Sequence, residues 1–423
     1  MFSVKKKNLA NLLFIFVLFP YVSPMDTFFD TQPFALVISI FIFLLFLFTK
    51  NERAIKQIWW LLFLFLFSII SLLFFSKDFM NGFRSLFGYA TLFFVTFSSY
   101  KTFKYISPKI LLNSTFIWLF FGIVQSFISK DFGSFILPRL STSAARGVTS
   151  LAVEPSYYAI MMIFMLIFNE YFFKLEYFSK KEYISVVILC SLQMLLTLSG
   201  MGILLLSVFI LAKGLASVLT QNFVKKISAI TVLLSIMMIG YFAFLNIPIL
   251  SNSRGGLLFY KLLNNPIDVI YTDASFSQRL SHILIPIISV FQSFGFGFGV
   301  GNFEYYLKNL STNLPHILLS LFSNIVIRGN RIMSGWGSSI FELGVAGLIP
   351  MLIFTNVSIS SKQKNLRQTN IICFIVIFIV MWNAVPYSLP TFAYLLGMLS
   401  FLKFFWKKDS SQVTFFSSNQ KEE

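Results

Sequence analysis

Long apolar runs alternate along this chain with short basic breaks. About 20 mostly apolar residues suffice for a helix to cross a bilayer, and twelve runs qualify, at about 8–24, 33–49, 57–76, 80–99, 110–129, 151–169, 183–198, 200–219, 227–247, 336–357, 369–385 and 388–405. The pattern predicts an all-α polytopic membrane protein of about 12 transmembrane helices. The first run follows Lys5, Lys6 and Lys7, as the core of a signal peptide would. No small-x-small cleavage site comes after it, and Pro20 and Pro24 interrupt its exit, so a retained anchor is expected.

Composition agrees with the pattern. Of 423 residues 57% are hydrophobic and only 12% are charged. This excludes a soluble enzyme, a secreted disulfide scaffold and a disordered chain. Cys190 and Cys373 lie inside apolar runs, and the two histidines are His282 and His316, so neither a thiolate nor a histidine metal site is expected. The net charge of +17 would suggest a nucleic acid partner if the cations formed one face. They stand in small groups between apolar runs instead, as the positive-inside rule requires.

With the N-terminus in the cytoplasm and the loops alternating, 22 of the 33 Lys and Arg fall inside, against seven acids. The outer side keeps 11 cations and nine acids. Both termini are therefore expected to be cytoplasmic. Residues 1–247 would hold nine helices with a smaller outer loop at 130–150. Residues 248–335 would form one large extracytoplasmic loop, 336–406 three more helices, and 407–423 a cytoplasmic tail. Apolar stretches at 280–294 and 314–327 inside the large loop are expected to lie on the outer surface or to re-enter.

The two sides differ in the kind of cation. Inside there are 20 Lys and two Arg; outside there are four Lys and seven Arg, namely Arg84, Arg139, Arg146, Arg254, Arg279, Arg328 and Arg331. Topology needs only charge, whereas a guanidinium grips phosphate or carboxylate at two points. An anionic ligand outside is one explanation; pairing with outer acids or lipid headgroups is the other.

Three segments carry candidate chemistry. In the first, Arg139 and Arg146 precede Glu154-Pro155, which opens a spanning helix. Glu154 either serves the helix dipole, acts as a general base on a sugar hydroxyl, or holds Arg146 in place. In the second, Arg279 begins a short helix that ends in Gly295, Gly297, Gly299 and Gly301, then Asn302. Such a run either cradles phosphate on backbone N–H groups or turns the loop back to the bundle. It lacks the context of a nucleotide motif. In the third, Arg328 and Arg331 precede a spanning helix with Glu342 about two turns inside, where an ionisable group needs a partner. An outer Arg is the natural one. Gly335, Gly337, Gly344 and Gly347 beside it suit close helix packing.

Together these segments resemble the integral-membrane O-antigen polymerase and ligase superfamily. The similarity rests on Arg279 through Gly295-Phe-Gly-Phe-Gly-Val-Gly301-Asn302-Phe303, on Ser338-Ser-Ile-Phe-Glu342-Leu-Gly-Val-Ala-Gly347, and on Arg146-Gly with Glu154-Pro-Ser-Tyr157. At Leu198-Ser199-Gly200 the Arg of many members is missing, and Met333–Gly337 lacks the His of the ligase branch. The polymerase branch is therefore favoured.

The resemblance implies a polymerase that joins polyprenyl-diphosphate-linked oligosaccharides into a surface polysaccharide on the outer face of the cytoplasmic membrane. It implies no cofactor and no metal. Membrane lipid, a flippase and a chain-length regulator are the implied partners. Glu154, then Glu342, are the expected bases. Arg146, Arg279, Arg254, Arg139, Tyr157, Asn302, Arg328 and Arg331 are the expected substrate contacts. A lipid-linked oligosaccharide flippase and an O-antigen ligase are the alternatives.

Overall fold

The computed structural model describes residues 2–23, 29–47, 55–137, 147–220, 246, 254–265, 269, 273–309, 331–359, 364–383 and 385–404. Among them the only regular elements are helices: α1 Phe2–Leu18, α2 Phe34–Leu47, α3 Lys56–Phe75, α4 Phe79–Thr102, α5 Lys109–Phe127, α6 Pro155–Lys174, α7 Lys180–Leu196 and α8 Gly200–Thr220. There follow α9 Arg254–Asn264, α10 Ala274–Gln292, α11 Phe303–Lys308, α12 Gly335–Leu343, α13 Ile349–Ile359, α14 Arg367–Asn383 and α15 Pro390–Phe404. The α3, α5, α6 and α8 helices and the broken unit Gly335–Ile359 are long and apolar enough to cross a membrane; α2, α14 and α15 are apolar but shorter. This set of apolar helices is compatible with a membrane protein. The predicted span 227–247 lies outside the described residues, apart from residue 246.

The α6 helix is the hub, with 83% of its apolar window buried against other helices. Outer helices such as α3 leave most of theirs exposed, with Trp59, Trp60, Phe63, Leu66, Ile70 and Leu73 facing outward. Interhelical hydrogen bonds from small polar residues join the helices, as is common between apolar helices of membrane proteins. The α4/α15 contact is of this kind: Thr96 donates to the Ala393 carbonyl (3.0 Å) and Ser99 to that of Tyr394 (2.7 Å). The Tyr171 hydroxyl donates to Asn370 at 2.7 Å and so ties α6 to α14.

Two expectations change. Arg279 does not begin its helix; α10 starts five residues earlier, where Asp273 accepts the Phe276 N–H at 2.8 Å. Nor is 336–357 one helix. A 3-10 turn, Gly344–Leu348, separates α12 from α13. Gly344 has φ +60°, and a Cβ there would stand 1.9 Å from the Gly295 carbonyl. The glycine run after α10 thus passes against the break, and only glycine allows that approach.

That run is fully engaged with the protein. Phe298 and Gly299 donate to the carbonyls of Phe341 and Glu342, at 2.8 and 3.0 Å. Val300 donates to Ser71 (3.1 Å), Gly301 to the Glu342 carboxylate (3.3 Å), and Gly297 to Ser293 (2.9 Å). Its glycines have positive φ, from 79° to 88°. The run is a clamp that stitches α10 to α3, α4 and α12. It is not a phosphate cradle, because its N–H groups are already spent.

Candidate functional site

A cavity of about 240 Å³ opens where several loops meet at one end of the bundle. It is lined by Tyr21 after α1, Asp30 and Thr31 before α2, Val153, Glu154 and Tyr157 at the start of α6, Met333 before α12, and Pro386 before α15.

Each wall is held by local chemistry. Glu154 occupies the N-cap position of α6 with an extended backbone, and Pro155 supplies the first turn. Its side chain makes no cap hydrogen bond; a carboxylate oxygen accepts from Ser156 at 3.4 Å. The approach to Glu154 is organised by Gln125 of α5, which is buried. Its Oε1 accepts from the Thr149 and Ser150 N–H groups (3.0 and 2.6 Å), and its Nε2 donates to the carbonyls of Phe132 (2.8 Å) and Ser150 (3.0 Å). Ser150 has φ +50°, an unfavourable value for a residue with a Cβ, and these bonds hold it there. On the opposite wall Thr31 donates to the Ser388 carbonyl at 2.7 Å, and the Gln32 N–H donates to that of Pro20 at 2.8 Å.

The charges converge here. Both terminal nitrogens of Arg331 donate to the two carboxylate oxygens of Asp30. Burial works against the Arg331 charge, and the Asp30 carboxylate more than restores it, so its pKa is raised. Tyr157 stands within electrostatic reach of Asp30, Glu154, Arg331 and Arg279, and its ring lies 5.7 Å from that of Tyr21. Arg279 also acts on His282, one turn further along α10. His282 is buried, and its Nδ1 accepts the Met333 N–H at 3.3 Å. Burial, aided by the Arg279 charge, lowers its pKa to about 4. It is therefore neutral at physiological pH and helps shape the segment that carries Arg331.

Of the expected site residues, Glu154 and Tyr157 line the cleft, Arg331 pairs with a residue that does, and Arg279 is in electrostatic range. Glu342 lies deeper. It is buried in α12, and its carboxylate accepts from Ser85 (2.6 Å), Tyr89 (2.7 Å) and Gly301 N–H (3.3 Å). Its hydrogen-bond partners are two hydroxyls and an amide, while Arg331, paired with Asp30, acts on it electrostatically. With those three donors it anchors the glycine clamp to α4. Asn302 is held by the protein as well. Its amide donates to the carbonyls of Phe75 (2.8 Å) and Phe298 (2.6 Å) and accepts from Lys77 N–H (2.6 Å), so it fixes the loop. Arg254 opens α9, while Arg139, Arg146 and Arg328 lie outside the described residues.

Asp30 is the residue the sequence pattern did not single out. The signal available was modest: with Asp26 it places two acids in the first break on the Arg-bearing side. Among the described residues no group of three His, Cys, Asp or Glu is placed to hold a metal ion. No protein-family model, no curated protein and no solved structure matches the chain.

Proposed function

We propose that this protein is a polysaccharide polymerase of the cytoplasmic membrane, joining polyprenyl-diphosphate-linked oligosaccharides on its outer face. The observation that carries the reading is one cleft bringing a carboxylate, Glu154, together with a guanidinium, Arg331, and a second, Arg279, within electrostatic range. The cleft has the ingredients of glycosyl transfer from a diphosphate: an acceptor for a hydroxyl proton and grips for an anionic leaving group. The chain has about 12 spans in this reading, with both termini cytoplasmic. The loops that meet at the cleft are those the alternating arrangement puts outside.

In the proposed step a hydroxyl of one lipid-linked unit attacks the anomeric carbon of another. A new carbon–oxygen bond forms as the bond to the diphosphate oxygen breaks. The hydroxyl proton passes to the Glu154 carboxylate, and the diphosphate leaves with the electron pair of the broken bond, its charge met by Arg279 and Arg331. A single displacement inverts the anomeric centre.

The test is sugar analysis of a deletion strain. A polymerase defect leaves single repeat units on the final acceptor. Polymer retained on the lipid carrier would indicate a ligase, and the absence of either product outside would indicate a flippase. Complementation with Arg279→Lys, which keeps charge and loses the fork, is expected to shorten the polymer; full-length polymer would remove Arg279 from the grip.

A further inference from the structure

Arg331 offers both terminal nitrogens to Asp30 in a fork-to-fork arrangement, and a phosphate group would take those same two nitrogens in the same way. The side chains are only 21% and 17% exposed, so the pair is largely withdrawn from bulk solvent, with Asp30 on the cleft wall. A guanidinium in that position is costly without an anionic partner. The backbone around Asp30 is fixed, by Thr31 on Ser388 and by Gln32 on Pro20. The segment after Arg331 is fixed as well, by Met333 on His282.

We propose that Asp30 is an internal stand-in for the anionic group of the ligand, held on Arg331 until a diphosphate displaces it. In the resting cleft Asp30 neutralises the guanidinium. A diphosphate carries more charge than one carboxylate, so it takes over the fork while Asp30 turns away. Asp30 thereby sets a threshold: anions no stronger than a carboxylate fail to displace it. Only the choice of a diphosphate rests on the polymerase reading.

The probe is inorganic pyrophosphate, titrated calorimetrically into the full chain in nanodiscs of zwitterionic lipid. Asp30→Asn removes the competing charge at nearly constant size, and it is expected to bind pyrophosphate at least about tenfold tighter than the wild type, the equivalent of about 1.4 kcal/mol. Arg331→Lys is expected to bind it more weakly. Equal or weaker binding by Asp30→Asn, or no binding by any form, overturns the proposal.

A second measurement uses the wild type alone, in case the substitution impairs folding. Pyrophosphate should increase carbodiimide labelling of Asp30, read by mass spectrometry against Asp131 of a separate loop. Unchanged or reduced labelling overturns the proposal. Polymer formation in cells is read separately. Polymer without the affinity change leaves the polymerase standing and removes the stand-in; the affinity change in a chain that makes no polymer does the reverse.

Discussion

Glu154 and Glu342 are both carboxylates near the mouth of the bundle, and their surroundings give them different tasks. Glu342 is the acceptor at the centre of three donors, each bond worth about 0.5–1.5 kcal/mol. Glu342→Ala is expected to lower the thermal midpoint of the purified protein strongly. Glu154 lines a cavity, where its carboxylate accepts a long bond from Ser156. Glu154→Gln is expected to reduce polymer formation by about 10²–10⁴-fold, the usual worth of a general base, while the thermal midpoint stays put. A large loss of midpoint in Glu154→Gln would reassign that residue to the fold. His282 gives a pH signature. Its folded pKa of about 4 lies below the unfolded value of about 6.5, so between those values the unfolded chain binds more protons. Stability is expected to fall as pH drops from 6.5 towards 4 and to lose nothing further from this group below that. His282→Gln should flatten that slope in melts between pH 7 and 4; an identical slope would show that other groups cause it.

At the scale of elements, the cleft depends on two devices that lie outside it. Gln125 supports the strained approach to α6. Replacement by Ala would orphan the buried Thr149 and Ser150 N–H groups, at about 1–3 kcal/mol for each group left unsatisfied. The expected result is a lower midpoint and a weakened site, although Gln125 does not line the cavity. The other device is the break between α12 and α13. A side chain at Gly344 meets both an unfavourable φ and the backbone of Gly295, so Gly344→Ala should cost about 1–3 kcal/mol from the backbone conformation alone, before the clash is counted. A melt indistinguishable from the wild type would mean that the glycine clamp does not hold α12 in place.

For the whole molecule the question is which end of the bundle faces which compartment. Cys190 and Cys373 are both buried, so a single introduced cysteine can be labelled with little background. Lys77, between α3 and α4, and Lys181, in the first turn of α7, are exposed at ends of the helices expected to face opposite sides. Lys77→Cys is expected to react with a membrane-impermeant maleimide on intact cells, and Lys181→Cys only after permeabilisation. The reverse pattern would put the cleft in the cytoplasm and end the proposal of an outer-face polymerase.

The sequence by itself determined the helical, strongly apolar character of the chain, because apolar runs of spanning length admit few other structures. It also located the start of α6, since Glu154-Pro155 is a local capping signal that needs no tertiary partner. It drew attention to Arg331 and Glu342, because charges near apolar spans are conspicuous. Only the tertiary structure decided what those charges do. Asp30 and Arg331 stand about 300 positions apart in the chain, and Ser85 and Tyr89 more than 250 from Glu342, separations at which no periodicity or motif spacing carries information. The glycine run shows the same division. Its glycines announce an unusual backbone, but whether the N–H groups face a ligand or the protein depends on which helices the loop meets. Here it meets α3, α4 and α12, and the protein takes the bonds.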